Sequence, residues 1–104
     1  NMPFKIQTIS NTNPVEVVYN YNRYNSMVIT NTHATAAVTI DLYIKNAAGT
    51  IVAYFLNNVK IPNGVSLKLE QDEFSFNNNL YSLFVDSDNS AGAIDIIFRK
   101  KYDK

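Results

Sequence analysis

Between Val38 and Lys45 the chain reads Val-Thr-Ile-Asp-Leu-Tyr-Ile-Lys, with an aliphatic side chain at every second position and polar or amphipathic ones between them. A period of two belongs to a strand, whose successive side chains point to opposite faces, so the segment predicts a strand buried on one side. After Asn46-Ala47-Ala48-Gly49-Thr50 comes a second apolar run, 51–56, and the two read as an antiparallel hairpin whose short loop uses Gly49 for a positive φ. Pro62-Asn63-Gly64 marks another tight turn, beyond which Val65, Leu67 and Leu69 are expected to face inward. Segments 81–86 and 93–99 flank a loop of small polar residues, 87–92, and predict a second hairpin. Upstream, Val15, Val17, Tyr19 and Tyr21 alternate with Glu16, Val18, Asn20 and Asn22, and Ser26-Met27-Val28-Ile29-Thr30 follows. Those are two more strands, and 4–9 adds an edge strand. No window long enough for a helix repeats apolar residues at helical spacing.

Seven or eight short strands with frequent turns in a single domain, 1–104, predict an all-β fold: two packed antiparallel sheets, jelly-roll or immunoglobulin-like. Ile40, Leu42, Leu67, Leu69, Leu83, Ile94 and Ile96 fall on the apolar phase of their strands and are expected to share one core. The order of the strands stays open at this point.

Composition narrows the function classes. In 104 residues, 46% hydrophobic, the chain has material for one modest core. Nine basic and nine acidic residues cancel, so no strong field draws in nucleic acid or an anionic membrane. With no cysteine there are neither disulfides nor thiolate metal sites. No apolar run is long enough for a membrane helix, and no basic segment leads into an apolar stretch at the N-terminus, so a soluble chain without an export signal is expected.

Candidate chemistry is sparse. His33, the single histidine, lies in a polar stretch between two strands without nearby partners for metal ligation or nucleophile activation. Glu70, Asp72 and Glu73, and separately Asp86 with Asp88, lack the spacing of a calcium loop. Gly49, Gly64 and Gly92 are isolated turn glycines rather than a phosphate cradle. The basic C-terminus, Arg99, Lys100, Lys101 and Lys104, carries no RNA-stacking motif. The expectation is a non-enzymatic protein with no cofactor and no metal.

More informative are Tyr43, Phe84 and Ile97. The alternation that buries Leu42, Leu83 and Ile96 turns these three outward, where apolar side chains suggest contact with another chain. They are the candidate interface residues.

Several segments together resemble small β-sandwich virion structural proteins of tailed bacteriophages, especially those of marine bacteria. The resemblance runs from about Val17 to Lys100 and rests on Ser26-Met27-Val28-Ile29-Thr30-Asn31-Thr32 leading into 37–44, then Leu56-Asn57-Asn58-Val59-Lys60-Ile61-Pro62-Asn63-Gly64 into 65–67, and Ala93-Ile94-Asp95-Ile96-Ile97. One departure is Asn22-Arg23-Tyr24-Asn25, where such proteins often have a Val-Pro-Ala-Gly turn. The resemblance implies no catalytic residues. It implies a capsid decoration or cement protein, or a neck or tail module, found in the virion after assembly in the infected bacterium's cytoplasm. Its partners would be other copies of itself, as a homo-oligomer, and other virion proteins. The alternative is a carbohydrate-binding or host-adhesion module that stacks sugar rings on Tyr19, Tyr21, Tyr24 and Tyr54.

Overall fold

A computed structural model describes residues 4–10, 12–19, 24–88 and 94–100. Eight strands follow one another: β1 (Phe4–Ile9), β2 (Val15–Val17), β3 (Ser26–Asn31), β4 (Val38–Lys45), β5 (Ile51–Ile61), β6 (Ser66–Glu70), β7 (Ser82–Ser87) and β8 (Ile94–Arg99). One helical turn, α1 (Gln71–Phe74), separates β6 from β7. Sheet one has the order β1-β8-β3-β6 and sheet two the order β2-β7-β4-β5, with every pair antiparallel.

That order has a simple origin. β1 pairs with β8, β2 with β7, β3 with β6 and β4 with β5, as in one long hairpin whose tip is the β4–β5 turn. Rolling this ribbon up adds the β3–β8 and β4–β7 pairings and yields two four-stranded sheets. The result is a jelly roll rather than an immunoglobulin-like sandwich.

The β4–β5 hairpin forms as the sequence predicts. Its turn is held by Asn46, whose Oδ1 accepts from the amides of Ala48 and Thr50 at 3.0 Å, while Gly49 takes φ +86°. The predicted hairpin of 81–86 and 93–99 does not form: β7 belongs to sheet two and β8 to sheet one. Between Asp88 and Ile94 the chain changes sheet, because β7 finds better-matched neighbours in β2 and β4, where Leu83 and Val85 join the core beside Val17, Leu42 and Ile44. The turn at Pro62 is likewise a corner between sheets. There the Val65 amide donates to the Pro62 carbonyl at 3.1 Å and Gly64 takes φ +76°.

The core lies between the sheets. Ile40, Leu42, Leu69, Leu83, Ile94 and Ile96 are buried in it, and Leu67 packs half-buried against it. Val65, expected inward, is 43% exposed because it sits at the corner before β6 begins. Phe74, carried by α1, plugs one end, and the Glu70 amide donates to the Glu73 carboxylate at 2.6 Å to fix that turn. Lys5 Nζ donates to the Val18 carbonyl at 2.6 Å and Gln7 Nε2 to that of Glu16 at 3.1 Å, so side chains of β1 tie one lateral edge of the sandwich to the strand and loop opposite.

Candidate functional site

The outer face of sheet two carries a row of aromatic rings. Leu42 and Ile44 point inward, so Asp41, Tyr43 and Lys45 point outward from β4. By the same phase Ser82, Phe84 and Asp86 point outward from β7. Register places Phe84 beside Tyr43 and Tyr43 beside Tyr54 of β5, so three rings from three strands lie in one row. Tyr43 and Phe84 are nearly parallel, 6.0 Å between centroids with 13° between planes, and Tyr43 meets Tyr54 at 5.4 Å and 50°. The Lys45 ammonium lies 4.5 Å from the centroid of Phe84, a cation–π distance.

Crowding in the row explains an exposure that alternation alone misjudges. Tyr43 faces outward yet is only 4% exposed, because its flanking rings cover it. Burial raises its pKa from the usual tyrosine range, and the carboxylates of Asp86 and Asp41 and the neighbouring Tyr54 raise it further. Tyr54, at the sheet edge, keeps 47% of its surface open, and Ile51 and Val52 beside it are also exposed.

One step along the strands from the rings, Asp41 and Asp86 are direct cross-strand neighbours. Like charges so placed repel, and one of the pair is offset by the backbone: Asp41 Oδ1 accepts from the Asn58 amide at 2.7 Å. Asn58 adopts φ +55° at a bulge where β5 holds an extra residue against β4. With Thr39, Ser87 and Asp88 these residues line an open depression of about 210 Å³. Asp88 Oδ1 accepts from the Thr39 amide at 2.9 Å. Among the described residues no group of three His, Cys, Asp or Glu side chains converges to hold a metal ion.

Ile97 lies elsewhere. It belongs to β8, in sheet one, between Ile6 of β1 and Val28 of β3, and all three point away from the core. Tyr43 and Phe84 therefore share one surface, and Ile97 lies on the opposite surface of the sandwich. The candidate interface is two surfaces rather than one.

The tyrosines expected to stack sugars are also dispersed. Tyr19 lies flat on Phe98, 4.5 Å between centroids and 7° between planes, and packs against the core. Tyr24 is buried, Tyr54 belongs to the aromatic row, and Tyr21 lies outside the described residues. His33 acts locally, its Nδ1 accepting from the amides of Thr35 and Ala36 at 3.0 and 2.9 Å and so shaping the loop after β3. The acidic run Glu70, Asp72 and Glu73 borders the largest depression among the described residues, an open trough of about 400 Å³ beside α1. No helix among the described residues is long and apolar enough to cross a membrane.

Sequence reasoning missed Asn31, which is fully buried and holds the loop after β3 through its side chain. Its polarity within an otherwise alternating strand, just before Thr32, gave no sign of burial. Comparison with protein-family models, with curated proteins and with solved structures found no match.

Proposed function

We propose that this chain is a non-enzymatic virion structural module, a capsid decoration or cement protein or a neck or tail component, which works by self-association and docking on the particle. What carries this reading is the presence of apolar rows on both outer faces of the sandwich: Tyr43, Tyr54 and Phe84 on sheet two, and Ile6, Ile97 and Val28 on sheet one. A subunit with two opposed contact faces touches two neighbours at once, and repetition on a particle turns individually weak contacts into firm attachment. The resemblance to β-sandwich virion proteins supports the same conclusion.

Antibodies against the folded domain, applied to purified particles from lysed host cultures, test it. Regularly spaced label on heads, necks or tails is the expected result. Unlabelled particles, together with saturable glycan binding that is lost on Tyr54→Ala, would instead establish the carbohydrate-binding alternative.

A further inference from the structure

We infer that the outer face of sheet two is the contact between two copies of this chain, packed face to face about a two-fold axis running along the aromatic row. The inference rests on the assembly reading and names the partner of one of its two faces.

The charges on this face select both the occupant and its orientation. Phe84, Tyr43 and Tyr54 form the central row. One step along the strands on one side stands Lys45, and one step on the other side stand Asp41 and Asp86. A two-fold axis along the row reverses the strand direction and keeps the order of the strands. It therefore lays Lys45 of each copy over the aspartate pair of the other, while ring packs on ring. An axis parallel to the strands would set lysine against lysine and aspartates against aspartates. The face is thus self-complementary in one orientation only.

Two further observations fit a second copy. The unfavourable neighbouring of Asp41 and Asp86 within one chain is relieved when an ammonium group arrives from outside. The exposed apolar surface around Tyr54, with Ile51 and Val52, carries no charge in the run 51–56, so a copy meets no like charge there. Tyr43, locked between two rings, gives the row a rigid centre that loses little side-chain freedom on contact.

Charge reversal with mixing gives the test. Lys45→Glu sets Glu against aspartate at both ends of the contact, and Asp86→Lys sets lysine against lysine. Each variant alone should dimerise at least about tenfold more weakly than the parent, since two contacts change sign in each dimer. Mixed in equal amounts, the two restore both pairings, and sedimentation equilibrium should show a heterodimer of near-parental affinity. Circular dichroism and melting temperature establish that each variant is folded.

The chain has no cysteine, which supplies a second test independent of charge. Tyr54 lies on the proposed axis and is half exposed, so Tyr54→Cys should form a disulfide-linked dimer under mild oxidation, whereas Ile6→Cys on the other sheet should not. A parent monomeric at about millimolar concentration, where even weak contacts of this kind associate, overturns the inference. So does a folded mixture that stays monomeric, or cross-linking through Ile6→Cys alone. These outcomes are read in solution, so they stand apart from whether the protein is found on particles.

Discussion

The side-chain amide of Asn31, the last residue of β3, donates to the carbonyl of Ile61, the last residue of β5, at 2.9 Å. These strands lie in different sheets, so the bond crosses the sandwich. The same Nδ2 donates to the Ala36 carbonyl at 2.9 Å, and Oδ1 accepts from the His33 amide at 2.8 Å. The Asn31 carbonyl meanwhile accepts from Gly64 at 2.9 Å. One buried amide thus pins the β3–β4 connection and the β5–β6 corner to each other. Asn31→Ala leaves buried carbonyls unpaired and should cost roughly 2–4 kcal/mol. Asn31→Asp should cost more, because a carboxylate would face two carbonyl oxygens where the amide donates. Urea denaturation reads both as shifts in midpoint with little change in slope. An Asp variant as stable as the parent would mean that the amide does not hold the two connections together.

Leu42 and Val65 separate what the alternation predicts well from what it does not. Leu42 is fully buried between the sheets, and Leu42→Ala should cost roughly 2–5 kcal/mol. Val65, at an exposed corner, should lose less than about 0.5 kcal/mol on the same change to Ala. Melting temperatures of the two variants measured side by side decide it, since comparable losses would place Val65 in the core after all.

Tyr19 predicts a loss of stability in alkali. Burial on Phe98 and Phe74 pushes its pKa up to about 12, above the value near 10 of an unfolded tyrosine. Between those values the unfolded chain has released a proton that the folded chain retains. Stability that is fully present below pH 10 is therefore lost as the pH rises toward the folded pKa, and the loss levels off above it. Denaturation midpoints measured across this window should fall with pH, and Tyr19→Phe should flatten the slope. A slope unchanged by the substitution would assign the effect to other tyrosines, Tyr43 first, whose pKa is also raised.

How far the sequence reveals these features depends on what a period of two encodes. It sets the phase of a strand, so the inward set of β4, β7 and β8 is readable from Ile40, Leu42, Leu83, Ile94 and Ile96. It does not say which sheet a strand joins. The loop before Ile94 resembles a hairpin loop in length and composition, although it connects strands of different sheets. For the same reason Phe84 and Ile97 look alike in the sequence while occupying opposite surfaces. Nor does phase report crowding: Tyr43 is outward and still covered, because its cover comes from Phe84 and Tyr54 on other strands. In β5, bulges put extra residues against β4, so its exposure pattern departs from strict alternation and could not be read from spacing.

The separation of the two outer faces is itself testable through coupling energies. Phe84 and Tyr43 touch within one row, whereas Ile97 lies across the full thickness of the sandwich from both. Tyr43→Ser removes a nearly buried ring and its contacts and should cost roughly 2–4 kcal/mol. Ile97→Ser removes a half-buried side chain between Ile6 and Val28 and should cost under about 1 kcal/mol. In double-mutant cycles, Tyr43 with Phe84 should show a coupling of about 0.5–1.5 kcal/mol, the usual range for aromatic pairs. Phe84 with Ile97 should be additive to within about 0.5 kcal/mol, as residues without shared partners are. The same cycles run on the association constant distinguish one contact surface from two. If Phe84→Ser weakens association and Ile97→Ser does not, self-association belongs to sheet two, and the Ile97 face is left for a different neighbour. A strong coupling between Phe84 and Ile97 in stability would instead mean that the sheets transmit strain through the core, and the two faces could not be treated as independent sites.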